Sequence, residues 1–185
     1  LSLFLSLARR RPRQPPPPAL SHSLTLTCVI SYFLAGMNLF DSVCHAFSTV
    51  AIGGFSTHDQ SFQYFGLNSI KLVAIFFMIV SGINFALHFS VLKRRNPFLY
   101  LMDAEVRTYF LILLLISLFL IAVFQLRESD SDADYIDHLF QAVSFATTTG
   151  FVSSELYLWP PIAQVILILA AFAGGCAGST AGGIK

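Results

Sequence analysis

Charged side chains are scarce in this chain of 185 residues. Aspartate, glutamate, lysine and arginine together make up 11% of it, whereas 55% of the residues are hydrophobic. The mean hydropathy is +0.70, far from that of an ordinary soluble domain. The formal net charge is only +1 and the basic residues are clustered, which argues against a nucleic-acid partner. The composition therefore indicates an integral membrane protein in contact with lipid.

Cysteine and histidine are also few, and their spacing fits no common reactive or metal-binding pattern. The three cysteines are Cys28, Cys44 and Cys176. They are odd in number and share no Cys-x-x-Cys spacing, so we interpret them as small buried hydrophobic residues. His45, His88 and His138 have neither a plausible nucleophile nor metal-ligand spacing. The sequence therefore does not predict an enzyme.

One short segment occurs twice in the chain, in register. Asp41 recurs as Asp137 and Gly54 as Gly150, both 96 positions later. Each copy begins with the acidic residue, continues through a helix-compatible stretch and ends in Gly-Phe. A helix of about nine residues covers about 14 Å, half of a hydrocarbon core of about 30 Å, so it can enter a membrane but not cross it. Non-helical backbone at that depth is tolerated only in an aqueous cavity or inside protein, and the repeat therefore predicts two pore loops.

The end of each copy has the composition of a loop that binds a cation through backbone oxygens. Rings of carbonyl groups can replace a hydration shell without side-chain charge, provided that glycine permits the backbone conformation. Each short helix also directs its carboxyl end, with about half a negative charge, toward the same place. The predicted ligands are the backbone carbonyls of Ala51, Ile52, Gly53, Gly54, Thr147, Thr148, Thr149 and Gly150.

A glycine-rich stretch follows an apolar segment that we expect to span from Leu158 to Phe172. Its glycines are dense enough to interrupt a helix, which favours a flexible, unwound segment that obstructs the ion path below the loops. The alternative is a helix-packing zipper, because three of the glycines are four residues apart. The predicted obstruction comprises Gly174, Gly175, Gly178, Ser179, Thr180, Gly182 and Gly183.

The segments around these loops predict two successive units of helix, short pore helix, loop and helix. The divisions are a Pro-rich leader at 1–23, expected to be extended or disordered; a first unit at 24–92; a linker at 93–107; and a second unit at 108–185, expected to be truncated in the glycine-rich stretch. A basic cluster in the linker places it in the cytoplasm. The acidic connection at 127–137 should then lie outside, either as a solvated loop or as a vestibule that concentrates cations.

The first unit is expected to hold two membrane-crossing helices. The first runs from Leu24 to about Met37, and the second is one continuous helix from about Phe65 to Leu92. On that second helix Ser81, Asn84 and His88 are spaced three and four residues apart, so they should share one face. That face either packs helices together or lines an aqueous path.

Three motifs in this chain resemble the Trk/Ktr/HKT superfamily of potassium transporters. They are the stretches Phe47 to Thr57, Ala146 to Phe151 and Gly174 to Lys185. The resemblance implies an all-α membrane protein in which repeated pore units, four in the family, surround one ion path with a filter glycine in each. Gly54 and Gly150 match the filter glycines of the second and third units, and residues 174–183 match a gating loop within the membrane.

The resemblance also implies that the protein takes up potassium ions. In this interpretation it is a multi-pass protein of the cell's inner (plasma) membrane that binds potassium through the filter carbonyls. Family members form homodimers and are regulated by a cytosolic nucleotide-binding subunit. Because we find only one unit and most of another here, the competing hypothesis is a non-conducting truncated membrane fragment or helix-packing scaffold.

Overall fold

The computed structural model describes residues 18–125 and 135–183, and all regular secondary structure in these two ranges is helical. The helices are α1 (Pro18–Ala35), α2 (Leu39–Val50), α3 (Asn68–Ser81), α4 (Phe85–Arg94), α5 (Phe98–Met102), α6 (Ala104–Gln125), α7 (Tyr135–Ala146) and α8 (Pro161–Ala173), with short 3₁₀ turns at Ser61–Tyr64 and Leu156–Leu158. This architecture confirms the predicted all-α class.

Helices α2 and α7 are the two short helices that the sequence repeat predicts. Each has 12 residues, somewhat more than predicted, and at about 18 Å each is still too short to cross a membrane. Asn38 caps α2, since its side chain accepts a hydrogen bond from the Asp41 amide at 2.8 Å. Asp137 lies in the first turn of α7, and residues 126–134, which include most of the acidic connection, lie outside the described part of the chain.

Helix α1 begins at Pro18, six residues before the predicted start at Leu24. Proline is tolerated in the first turn of a helix, because the amide hydrogen that it lacks would have no partner there. The prediction of an extended or disordered leader is therefore wrong for residues 18–23, which are helical. The rest of that leader, residues 1–17, lies outside the described part of the chain.

The prediction of one continuous helix from Phe65 to Leu92 is also wrong. Helix α3 ends at Ser81, α4 begins at Phe85, and the two axes meet at 89°. Asn84 starts the second helix, because its side chain accepts a hydrogen bond from the Ala86 amide at 2.9 Å. Ser81 and His88 consequently lie on different helices, and the shared polar face does not exist.

Helix α6 is the one described helix that is both long and apolar enough to cross a membrane alone. It has 22 residues, with a mean hydropathy of 2.5 over its most apolar window. The bent pair of α3 and α4 is a second candidate span, whereas α1 and α8 are shorter apolar helices. Helix α8 begins at Pro161, three residues later than predicted, because a 3₁₀ turn and Pro160 precede it.

The two short helices are surrounded by the longer ones. Helix α2 packs against α1 and α3, and α7 packs against α3, α6 and α8. Between them lies Phe62, which is completely buried, in the 3₁₀ turn that follows the first loop. Its ring centroid is 5.3 Å from that of His45 on α2, 5.0 Å from Phe140 on α7 and 4.6 Å from Phe151. Phe62 therefore joins both halves of the repeat.

Replacement of Phe62 by alanine should lower the free energy of unfolding by about 3–5 kcal/mol, because it leaves a cavity at the centre of this aromatic cluster. Reversible unfolding in detergent micelles, followed by the fluorescence of the single tryptophan, Trp159, measures this change. Phe172→Ala is the matched control, since Phe172 is 58% exposed on α8. Equal losses for the two variants would contradict the central position of Phe62.

Candidate ion-binding loops

Helices α2 and α7 end in turns that make the same backbone hydrogen bonds. Each bond in the second turn joins residues 96 positions after those in the first, with N···O distances of 2.7–3.2 Å. In the first turn the amides of Ala51, Ile52 and Gly53 donate to the carbonyls of Phe47, Thr49 and Ser48, respectively. In the second turn the amides of Thr147, Thr148 and Thr149 donate to the carbonyls of Val143, Phe145 and Ser144. The sequence repeat is therefore also a structural repeat.

Both loops adopt a left-handed backbone at two equivalent positions. The angle φ is +54° at Ile52 and +63° at Thr148, and it is +71° at Gly54 and +86° at Gly150. A positive φ is rare for a β-branched residue, costs about 1–3 kcal/mol, and persists only where the surroundings impose it. Strain at the same place in both copies indicates that the loop conformation itself is required.

The two loops lie against each other. A Cβ atom added to Gly54 would overlap the carbonyl oxygen of Thr149, so only glycine permits this approach. After the loops, the Phe62 amide donates to the Val152 carbonyl at 2.9 Å, and the Val152 amide donates to the Ser61 hydroxyl at 3.2 Å. The eight predicted ligand residues are thus brought together in one place.

The carbonyl oxygens of these loops are available to a ligand. Among the hydrogen bonds that join the described residues, none has a carbonyl of residues 51–54 or 147–150 as acceptor. The preceding carbonyl, that of Val50, does accept a bond, from the Thr180 hydroxyl at 3.0 Å. Ala51, Gly53 and Gly150 are exposed, so water or a ligand can reach this part of the loops.

The glycine-rich stretch, residues 174–183, has no helix among its described residues. Its backbone is left-handed at Gly174, Gly178 and Gly183. The alternative of a zipper on one helix face is therefore wrong, because non-helical glycines four apart do not share a face. The stretch enters the break between α3 and α4: the Cys176 amide donates to the Gly82 carbonyl at 2.9 Å, and the Phe85 amide donates to the Gly178 carbonyl at 3.1 Å.

This stretch also contacts both loops. The Thr180 hydroxyl lies 3.0 Å from the Val50 carbonyl and 3.3 Å from that of Ser81. The Gly182 amide donates to the Thr148 side-chain oxygen at 2.7 Å. The predicted obstruction is therefore attached to the end of α2 and to the strained threonine of the second loop.

Two serines that the sequence analysis did not identify also shape the loops. The Ser48 hydroxyl accepts a hydrogen bond from the Phe55 amide at 2.8 Å, and the Ser144 hydroxyl donates to the Phe151 carbonyl at 2.7 Å. Both serines occupy the same position of the repeat, so the repeat itself could have identified them from the sequence. Each connects its short helix to the residue after the loop glycine, Gly54 or Gly150.

The acidic residues at the start of the two short helices have different partners. Asp41 receives hydrogen bonds from Thr57 and Asn38 and lies 3.1 Å from His58. Burial raises the pKa of Asp41, but these hydrogen bonds and the His58 charge outweigh it, so the pKa lies below its ordinary value. Asp137 instead forms an ion pair of 2.6 Å with Lys71 of α3.

Side-chain metal ligands do not cluster in the part of the chain that the structure describes. In the two described ranges, no group of three or more histidine, cysteine or acidic residues could hold a metal ion. None of the three cysteines forms a disulfide bond; Cys28 and Cys176 are buried, as interpreted from the sequence, whereas Cys44 is partly exposed. Two short helices with paired glycine loops, enclosed by apolar helices, define a helical membrane protein of the pore-loop type.

The chain belongs to the TrkH family, described as cation transport proteins, whose model matches residues 22–185. It is 43% identical over 169 residues to the Trk system potassium uptake protein TrkH of Vibrio parahaemolyticus, a match that covers 88% of this chain and 34% of that protein. It is 44% identical over 167 residues to TrkH of Halomonas elongata, with the same coverage. It is 40% identical over 163 residues to the Trk system protein TrkG of Escherichia coli K12, again covering 88% and 34%.

A solved structure is similar as well. The crystal structure of the potassium transporter TrkH from Vibrio parahaemolyticus matches with a TM-score of 0.82 and 41% identity, over 87% of this chain and 35% of that one. The chain thus spans about a third of the length of the curated relatives it matches. These matches confirm the family resemblance drawn from the motifs. The relatives are named as transport proteins, in agreement with the prediction that the chain is not an enzyme.

Replacement of the loop glycines by alanine should destabilise the protein in a graded way. Gly150→Ala should cost about 1–2 kcal/mol, because the added Cβ meets open space but φ is positive. Gly54→Ala should cost about 2–5 kcal/mol, because it adds the overlap with Thr149. Gly66, with open space and no positive φ, is the control. Unfolding in micelles measures the order, and equal costs at Gly54 and Gly150 would contradict the contact between the loops.

Proposed function

We propose that this chain is part of a potassium uptake transporter, a multi-pass protein of the inner (plasma) membrane, in which the two loops line the ion path. The observation that carries the proposal is the set of loop carbonyls, at 51–54 and 147–150, that no hydrogen bond within the described residues uses. The names of the relatives support potassium as the transported ion. Potassium is therefore the substrate of this site and not a resident cofactor.

The backbone conformation of the loops supports carbonyl coordination. In a regular strand, successive peptide groups face opposite sides, so alternate carbonyls point away from any one ligand. In the first loop, φ is positive at Ile52 and Gly54 but not at Gly53 between them. The second loop repeats this pattern at Thr148, Thr149 and Gly150. This alternation of handedness can turn successive peptide groups toward one side. A cation could then exchange several water ligands for carbonyl oxygens.

The short helices add a favourable electrostatic field. Both α2 and α7 end immediately before a loop, at Val50 and Ala146. A helix carries about half a negative charge at its carboxyl end, and two such ends close to one site favour a cation over an anion. Because no acidic side chain is involved, the ion can be held without being bound too tightly to leave.

We further propose that residues 174–183 act as a gate. The stretch is held by hydrogen bonds from Thr180 and Gly182, and a single hydrogen bond contributes only about 0.5–1.5 kcal/mol net. Contacts of that size can be made and broken at ordinary temperature. The non-helical, glycine-rich backbone allows the stretch to move without unwinding a helix first.

Two loops cover two sides of an ion path, so we propose that further pore units complete it. The relatives are about three times as long as this chain, which leaves room for such units. A homodimer and a cytosolic nucleotide-binding subunit, which would contact cytoplasmic segments such as 93–107, are proposals that rest on the family resemblance alone.

A chimera tests the proposed function. The matched segment of Vibrio parahaemolyticus TrkH is replaced by residues 22–185 of this chain, and potassium uptake is measured in bacteria without their own uptake systems. Uptake should be restored, and Gly150→Ala should lower the preference for potassium over sodium about tenfold, because it adds strain at the filter. Gly66→Ala should change neither. A functional chimera with unchanged selectivity in Gly150→Ala would refute the filter assignment.

The gate proposal predicts a gain of activity. Thr180→Val removes the hydroxyl that donates to the Val50 carbonyl, so the gate should open more often and uptake by the chimera should rise about fivefold. Thr180→Ser retains the hydroxyl and serves as the matched control. Equal uptake by the two variants, at equal protein levels, would contradict this role.

A further inference from the structure

The first loop is followed by an exit arm, residues 55–58, that side chains of α2 hold. His45, which is completely buried in α2, has Nδ1 2.8 Å from the Asp41 carbonyl and Nε2 2.9 Å from the Ser56 hydroxyl. A carbonyl can only accept, so Nδ1 donates to Asp41 and Nε2 accepts from Ser56. A single neutral tautomer of His45 thus connects the helix to the arm.

Asp41 connects the next two residues of the arm, Thr57 and His58, to α2 as well. Its carboxylate accepts from the Thr57 hydroxyl at 2.5 Å and lies 3.1 Å from Nε2 of His58. Three consecutive residues of the first exit arm, 56 to 58, are therefore fixed to α2 through the two side chains of His45 and Asp41.

The second exit arm, residues 151–154, lacks every one of these bonds. Gln141 occupies the position of His45, and Val152, which has no hydroxyl, occupies that of Ser56. Gln141 is completely buried, yet within the described residues neither its amide nitrogen nor its amide oxygen has a hydrogen-bond partner. The hydroxyls of Ser153 and Ser154 also have no hydrogen-bond partner within the described residues. Asp137, which occupies the position of Asp41, is paired with Lys71 and not with the exit arm.

Apart from the bond between Ser144 and Phe151, the second exit arm is held by the first unit. Ser61 and Phe62 form two hydrogen bonds with the backbone of Val152, one in each direction. The Phe62 ring also packs on Phe151 and meets the His45 ring edge to face at 5.3 Å, and the His45 ring lies 6.2 Å from that of Phe151. A continuous series of contacts therefore runs from His45 to the arm behind Gly150.

We propose that His45 is the positioning residue for both loops. It fixes the first exit arm through Ser56 and supports, through Phe62, the segment to which the second exit arm is bonded, whereas Gln141 at the equivalent position holds neither arm. His45 acts on the loops from behind and does not contact the ion. The consequence for transport rests on the proposed function; the mechanical dependence of the arms on His45 does not.

Amide hydrogen exchange of the chain in lipid nanodiscs tests this dependence. In His45→Leu the amides of Phe55 and Val152, whose own hydrogen-bond acceptors remain, should exchange about tenfold faster. Gln141→Leu is the matched control and should leave both rates unchanged or slower, because it removes buried polar atoms that have no partner. Unchanged rates in His45→Leu, or equal acceleration in Gln141→Leu, would overturn the proposal.

A second pair of variants decides the matter if His45→Leu does not fold. Ser56→Val and Ser56→Thr have nearly the same shape and differ in the hydroxyl that His45 accepts from. Only Ser56→Val should accelerate exchange at Phe55, whereas Val152, which His45 reaches through Phe62, should keep its rate. Equal rates in the two variants would overturn the proposal, whereas a general loss of protection in both would indicate a purely structural role and would overturn it as well.

The transport consequence is measured separately in the chimera. Ser56→Val should lower the preference for potassium over sodium about tenfold relative to Ser56→Thr, at equal protein levels. If the unmodified chimera takes up no potassium, the proposed function fails while the exchange results still decide the role of His45. If it transports but both Ser56 variants keep the same selectivity, the function stands and the positioning role in transport is refuted.

Discussion

The need to satisfy backbone polar groups away from water governs this structure. A helix satisfies them internally, but the loops at 51–54 and 147–150 do not, and their carbonyls have no partner among the described residues. Such backbone is stable only where something else binds those oxygens. A cation that has lost its hydration shell has the complementary need, so the same groups that are costly without a ligand become a binding site.

The surrounding elements explain how so unusual a backbone is maintained. Left-handed conformations at Ile52 and Thr148 are unfavourable, and each loop offsets them with the same amide-to-carbonyl bonds and with a serine that reaches past the filter glycine. Gly54 allows the loops to touch, and Phe62 fills the space between α2 and α7. Strain in the loops is thus balanced by dense packing directly behind them.

The parts of the fold that depend on local composition could be predicted, and the parts that depend on distant contacts could not. The repeat predicted both short helices, and hydropathy predicted α6. The bend between α3 and α4 was missed because a few polar residues do not by themselves end an apolar helix, while the backbone groups exposed at the bend are satisfied by Cys176 and Gly178, almost a hundred residues later. The partners of His45 were missed for the same reason, since Ser56 becomes its neighbour only after the loop has turned back.

Comparison of the two copies separates what the loops require from what merely supports them. The backbone turns share three equivalent hydrogen bonds, although Ala51-Ile52-Gly53 and Thr147-Thr148-Thr149 share no residue. The exit arms share one serine bond each, from Ser48 or Ser144, but are otherwise held in unlike ways, by His45 and Asp41 of α2 in one copy and by the 3₁₀ turn of the other unit in the second. Different residues that produce one backbone geometry indicate selection for carbonyl positions. Because two different kinds of support maintain this geometry, any sufficiently rigid attachment would do. The two loops act as one mechanical unit because both depend on the 3₁₀ turn of the first unit.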